Sequence, residues 1–376
     1  MRVGLLVYAL DRPLTGIGRY TTELVRALLA LPDCPEIVLL MSGGPGPLAA
    51  FNLPQVRLPG ARLLPGLLTL GNLYIPYLAH RHKLDVVHDL SGITPFVLGA
   101  GRAKRVTTLY DLIPLAFPGL STRLDSLIYR RWLPFTLPRV DGVVTISEAS
   151  RADLQRFMKV APEKVWNVSG GVGPQYQPAS AERIARVRQQ HSIGDAPYFL
   201  FVGSVQERKN VRRSLLAFAE LCKRGLPHHF VIVGAKQWKY EEILNTLTSL
   251  EVKDRIHFTG YVDEADLPAL YTGAAAFVFP SLYEGFGLPV LESLACGTPA
   301  VTSTVSSLPE VAGDAAPMVD PLDVDALADA LYRLATDVTL HAALRQKGLA
   351  HVRQFTWAQT AQRVLTAYRA VLDSGS

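Results

Sequence analysis

The chain has 376 residues, with 49% apolar and 19% charged residues, 29 glycines and 26 prolines; at roughly 150 residues per domain that length suits two or three domains. Its apolar content excludes wholesale disorder, and collagen-like and coiled-coil compositions are excluded with it. Basic residues outnumber acidic ones 38 to 33, a net charge of +5, and the three cysteines, Cys34, Cys222 and Cys296, are sparse and widely spaced, which argues against a disulfide framework or a zinc site and fits a reducing, cytoplasmic compartment.

The first apolar run, Val3–Tyr8, is too short for a signal-peptide core and reads as a buried strand. Arg19–Leu31 follows with Leu24, Leu28 and Leu31 at helical spacing. Ile37–Met41, Val86–Val87, Val106–Tyr110 and Gly142–Ile146 read as short buried strands. The stretch from Leu63 to Ala79 is uncharged, but Pro65, Gly66, Gly71 and Pro76 interrupt it, so it cannot supply the ~20 apolar residues of a spanning helix. From Pro197 the pattern restarts: strands at 198–203, 230–234, 256–258, 275–279 and 299–302, with helices at Val211–Arg224 and Pro289–Cys296. Strands alternating with helices predict parallel sheets covered on both faces. The restart predicts two doubly wound units, and Ser169-Gly-Gly-Val-Gly-Pro174, followed by Pro178, is the richest breaker cluster between them. The expected domains are 1–175 and 176–355, with a helix at about 356–376 packing back on the first.

Charge is uneven along the chain. Residues 1–180 hold 19 Lys and Arg against 12 Asp and Glu, whereas 181–376 hold 19 against 21. A basic first half is either a solvated face or a surface drawn to phosphate groups or an anionic membrane. Helix-turn-helix, zinc-finger and RNP patterns are absent, which sets nucleic acid aside.

Three loops carry the chemistry. The segment Ser281-Leu-Tyr-Glu284-Gly285-Phe286-Gly287-Leu288-Pro289-Val-Leu-Glu292 leaves a strand, passes two glycines and enters a helix. Glycines there let backbone N–H groups approach an anion or a sugar at a helix N-terminus, while Glu284 and Glu292 offer acceptors for hydroxyls. After the strand at 198–203 comes Gly203-Ser204-Val-Gln-Glu-Arg208-Lys209-Asn210, whose adjacent cations suit a diphosphate. Thr15-Gly16-Ile17-Gly18-Arg19-Tyr20 sits between the first strand and first helix, but the third glycine of a dinucleotide fingerprint is missing.

Together these loops resemble retaining glycosyltransferase family 4, of the GT-B fold: two Rossmann-like domains facing each other across a cleft. Ile146-Ser-Glu148, Phe258-Thr-Gly260-Tyr261-Val262, Ala295-Cys-Gly-Thr-Pro299 and Leu308-Pro-Glu310 fall in the family's order. The resemblance implies that Arg208 and Lys209 hold the donor diphosphate, Glu292 the ribose and Glu284 the transferred sugar. Backbone amides from Gly285 through Phe286 and Gly287 to Leu288 would complete the site, with Gly203 and Ser204 beside it. Gly260, Tyr261 and Val262 would border the base, and Gly16 and Gly18 would admit the donor phosphate. It implies a nucleotide-sugar co-substrate, no metal and no resident cofactor. Gly-Ile-Gly-Arg-Tyr with Asp111-Leu-Ile-Pro resembles bacterial mannosyltransferases of polysaccharide assembly, which makes GDP-mannose the expected donor and a glycan or lipid-linked glycan at the cytoplasmic membrane face the expected acceptor. Tyr110 stands where the family often has histidine before Asp111, leaving Asp111 as the candidate for orienting acceptor or sugar. Val168-Ser-Gly-Gly-Val172 replaces the usual Asn-Gly linker signature. His88 is either a cleft residue or a structural one. Rival readings are a sugar-nucleotide epimerase on the same fold, a nicotinamide oxidoreductase and a non-catalytic nucleotide-sugar binder.

Overall fold

In the computed structural model, Arg2–Tyr8 forms β1, with Val3, Leu5 and Leu6 wholly buried. A strand apolar on both faces belongs inside a parallel sheet covered on both sides. The structure describes residues 1–8, 10, 16–58, 72–235 and 240–374. The chain divides into two compact units, Met1–Gly171 with Trp357–Ser376, and Val172–Thr356.

In the first unit β2 (Glu36–Ser42), β3 (Gln55–Arg57), β4 (Val86–Asp89), β5 (Lys104–Thr108), β6 (Gly142–Thr145) and β7 (Val165–Asn167) join β1 in the order β3-β2-β1-β4-β5-β6-β7, all parallel. The helices Gly16–Leu29 and Trp357–Asp373 pack together on one face. The other face carries the helix Asn72–Arg81 and a run of short helical pieces between residues 113 and 139. Ile75, Leu78, Ile128, Leu133 and Leu137 enter one core there with Leu6, Val38 and Val87. Inside that run a π turn, Ile128–Trp132, separates the α-helical pieces Arg123–Leu127 and Leu133–Thr136.

The second unit repeats the plan. β8 (Tyr198–Val202), β9 (His229–Val233), β10 (Ile256–Gly260), β11 (Ala276–Phe279), β12 (Ala300–Ser303) and β13 (Met318–Val319) lie in the order β10-β9-β8-β11-β12-β13, again parallel. Successive strands are added outward on one side of β8 and then on the other, beginning with β11, so β8 and β11 flank the switch point at which such sheets bind ligands beyond their carboxyl ends.

Sequence and structure differ in three respects. The first helix starts at Gly16, so Gly16 and Gly18 occupy its first turn instead of a preceding loop. The edge strands β3, β7 and β13 are two or three residues long and have no apolar run to announce them. Thr15 and the 63–71 part of the uncharged stretch lie outside the described residues; Asn72 to Ala79 of the rest forms most of the helix Asn72–Arg81, with Pro76 inside. No helix among the described residues is long and apolar enough to cross a membrane.

Candidate functional site

The loops after β8 and β11 emerge side by side at the switch point of the second unit, and a backbone bond from Leu282 N–H to the Arg208 carbonyl (2.9 Å) ties them. Glu207–Lys209 forms one 3-10 turn, closed by Asn210 in the left-handed conformation (φ 59°). The Asn210 amide donates to the Pro280 and Pro321 carbonyls at 2.9 and 2.6 Å, fixing the turn against the neighbouring strand ends.

This turn aims two cations at one carboxylate. Lys209 Nζ lies 2.7 Å from Glu284 Oε1 and Arg208 Nη1 lies 3.0 Å from Glu284 Oε2. Arg208 also donates to the Tyr283 carbonyl at 2.7 Å, and Lys209 Nζ stands 4.7 Å from the centroid of the Phe279 ring. The Glu284 side chain is only 9% exposed. Burial by itself pushes its carboxyl up, but the charges of Lys209 and Arg208, with hydrogen bonding from Lys209, overrule it and bring the group down to about 2.

The glutamate loop is held from behind by residues that sequence reasoning missed. Glu284 N–H donates to Ser306 Oγ at 2.9 Å. The Ser307 hydroxyl shares its proton between the Glu284 and Phe286 carbonyls, 3.0 and 2.6 Å away. Gly287 then turns into the helix Leu288–Ala295 with φ 123°, where a Cβ would come within 2.9 Å of Leu308 Cδ2. Glu292 lies on that helix, 3% exposed, and accepts from Tyr271 Oη–H at 2.9 Å. Burial and the nearby Glu292 charge both raise the Tyr271 phenol, which keeps it a donor.

The remaining expected residues of this unit lie at or just beyond the ends of β8 and β10 and at the entry to the helix Leu288–Ala295. Gly203 N–H bonds the Val233 carbonyl (2.9 Å), Val205 N–H the Ala235 carbonyl (3.0 Å), and Gly234 N–H the Gly260 carbonyl (2.8 Å), stitching the ends of β8, β9 and β10. Gly234 was not among the expected residues. A Cβ on it would sit 1.9 Å from the Gly203 carbonyl oxygen, so only glycine allows these loops to approach. Ser204 Oγ accepts from Gln206 at 2.7 Å. Tyr261 is 76% exposed and Val262 is buried. Gly285 is buried, Phe286 packs edge-on against Phe355, and Leu288 is half-buried at the helix start.

Five candidates belong to the first unit. Gly16 is exposed and Gly18 buried in the first turn of their helix. Asp111, half-buried beyond β5, accepts from Ile113 N–H at 3.0 Å and so starts the short helix Ile113–Ala116. Tyr110 packs edge-on against Tyr20 and donates to the Leu90 carbonyl at 2.8 Å. His88 is structural: fully buried, it meets Tyr368 Oη at 2.6 Å and Thr108 Oγ1 at 2.8 Å, and burial brings it down to about 3.

A buried carboxylate shared by two cations, beside glycine-rich turns at a switch point, is a site for an anion next to a hydroxylated group. The family model described as Glycosyltransferase Family 4 matches residues 14–176, and that described as Glycosyl transferases group 1 matches 183–351. The chain is 30% identical to O-antigen chain mannosyltransferase B of Escherichia coli over 95% of its own length and 96% of that protein. It is 31% identical to the serotype-specific mannosyltransferase WbdA of the same organism over 72% of this chain, spanning about a third (34%) of that longer protein. Among solved structures, Anabaena HepE in complex with UDP and glucose superposes with a TM-score of 0.79 at 16% identity, covering 97% of this chain and 98% of that one. WaaG, a glycosyltransferase involved in lipopolysaccharide biosynthesis, superposes at 0.75 and 18%, covering 96% and 98%. The shared fold is GT-B, with two Rossmann-like halves.

Proposed function

Because the chain belongs to glycosyltransferase family 4, we propose that it transfers mannose from GDP-mannose to a glycan or lipid-linked glycan with retention of configuration. The observation that carries the reading is the Arg208–Glu284–Lys209 cluster at the switch point. Two fixed cations meet the charge that grows on a leaving diphosphate, the kind of preorganised stabilisation that dominates group-transfer catalysis. The positive end of the helix Leu288–Ala295 adds to it. The diphosphate takes over as counter-ion to Arg208 and Lys209, and Glu284 turns to the sugar hydroxyls. Glu292, oriented by Tyr271, accepts from the ribose. The bond from C1 to the diphosphate breaks, the acceptor oxygen bonds C1 on the same face, and the acceptor proton passes to the departing phosphate. The protein supplies position and charge. Mannose is the choice because the two Escherichia coli relatives are mannosyltransferases.

Calorimetric titration with GDP-, UDP- and ADP-sugars, in chelator and then with added magnesium, tests the donor. The expected result is preference for GDP-mannose in both conditions, with Lys209→Ala weakening donor binding and Glu284→Ala chiefly lowering kcat. Preference for another nucleotide sugar discards mannose, and a requirement for magnesium discards the purely cationic leaving-group site. Conversion of the donor sugar without acceptor would make the protein an epimerase.

A further inference from the structure

The first unit presents a face that transfer chemistry in the second does not explain. Along Arg123–Thr136, residues 123, 124, 127, 130, 131, 134 and 135 face solvent, while Ile128, Leu133 and Thr136 are buried. The exposed positions recur at three- and four-residue intervals, so they form one outward stripe. The wider π turn leaves Arg130 and Arg131 side by side on it. The stripe is not polar, as an ordinary solvent face is. Leu124, Leu127 and Phe135 are 51%, 59% and 47% exposed, interleaved with Arg123, Arg130 and Arg131.

Single exposed apolar residues are common and need no explanation, but a second element repeats the pattern. On the helix Asn72–Arg81, Leu73, Tyr74 and Tyr77 are exposed, with His80 and Arg81 at its end. Ile75 and Leu78 on its inner side enter the same core cluster as Ile128 and Leu133. Both elements therefore cover one side of one sheet and turn their other sides outward. The acidic residue of the run, Asp125, is half-buried and accepts from Thr122 Oγ1 at 2.7 Å as part of the helix cap. Among the described residues, Arg123, Arg130 and Arg131 make no ion pair. Charge at the scale of the unit agrees: the first unit has 21 basic against 13 acidic residues, the second 17 against 20.

We propose that this face docks on an anionic lipid surface. Leucines and an aromatic ring interleaved with unpaired arginines match a boundary that is apolar below and phosphate-bearing above. A two-fold self-interface would set this cationic stripe against itself, which charge opposes. Leucine and phenylalanine among the arginines also lose nothing by leaving water at a bilayer, where the arginines keep their phosphate partners. The inference does not depend on which sugar the second unit takes.

Flotation of the purified full chain with phosphatidylcholine vesicles, with and without about one-third phosphatidylglycerol, tests it. Binding is expected to the anionic vesicles alone and to weaken with added salt as surface charges are screened. Arg123→Gln/Arg130→Gln/Arg131→Gln is expected to lower the partition coefficient at least about tenfold. Leu124→Ser/Leu127→Ser should lower it as well, with unchanged melting temperature in both variants. Lys253→Gln/Arg353→Gln, which removes two exposed cations from the other unit, should leave it unchanged. Equal binding to neutral vesicles, no binding to either, or full binding by the triple variant overturns the proposal. So does a dimer abolished by the leucine substitutions in a protein that ignores vesicles.

Discussion

Glu284 is the counter-ion to two partly buried cations, and its own ionisation is tied to the fold. An unperturbed glutamate titrates near 4.5, whereas Lys209 and Arg208 hold this one, against the upward push of burial, at about 2. Below 4.5 the unfolded chain binds the proton more readily than the folded one, so the stabilisation is complete above 4.5 and is lost as pH falls through about 2. A shift of that size is worth about 3 kcal/mol. Glu284→Gln should therefore cost about 3 kcal/mol at neutral pH, because it strands two cations whose side chains are only 16% and 11% exposed. It should also flatten the acid limb of the stability curve between 4.5 and 2. Inorganic pyrophosphate should raise the melting temperature of the variant more than that of the parent, since it supplies the missing anion. Urea titrations across pH check both effects; parent-like stability with an unchanged acid limb would show that the cations do not need the carboxylate. These three side chains were legible in the sequence because their loops carry them as motifs after strands. Ser306, Ser307 and Tyr271 were not. They reach the site from 21 to 23 positions away, and only the fold reveals which serine or tyrosine on a neighbouring segment meets a given carbonyl or carboxylate.

Strand ends build the site, and two glycines set how closely they pack. Gly234→Ala would drive a methyl group to 1.9 Å from the Gly203 carbonyl oxygen, a backbone atom that cannot rotate away. The loops after β8 and β9 must part, moving Arg208 and Lys209. The expected result is loss of donor binding by at least about tenfold, together with destabilisation of roughly 2–4 kcal/mol. Gly287→Ala meets Leu308 Cδ2, the end of a side chain that can shift, so its cost comes mainly from φ 123° and should be smaller, about 1–2 kcal/mol. Calorimetric titration and thermal melts on the two variants check that ranking, and equal losses would contradict it. Central strands were readable because continuous apolar runs are what a sheet buried on both faces demands. The edge strands β3, β7 and β13 are too short for any run. The segment between 113 and 139 escaped for a different reason: its pieces are four or five residues long, and the π turn at Ile128–Trp132 shifts the phase of the helical repeat partway through.

The first unit is discontinuous in sequence, and that has a consequence for how it is held together. Its last helix, Trp357–Asp373, follows the whole of the second unit and lies against the first sheet's β5, β6 and β7. Trp357, Leu365, Tyr368 and Val371 bury their side chains there. Tyr368 also closes a polar chain, with its hydroxyl 2.6 Å from His88 Nδ1 and Thr108 Oγ1 2.8 Å from the other ring nitrogen. His88 is neutral because burial brings it down to about 3, so it uses one nitrogen to donate and one to accept, and both partners are needed. Tyr368→Phe keeps the ring and its edge-on contact with His88 but leaves a buried imidazole nitrogen unpaired. A loss of about 1–3 kcal/mol follows from that alone. Because the defect sits in the first unit and the Arg208–Glu284–Lys209 cluster in the second, the affinity of the folded variant for a nucleoside diphosphate should stay within about twofold of the parent's. Thermal unfolding and calorimetric titration on the same preparation measure the two quantities separately. A parent-like melt would mean that water or a shifted Thr108 satisfies His88. A parallel fall in nucleotide affinity would mean that the strain reaches the second unit.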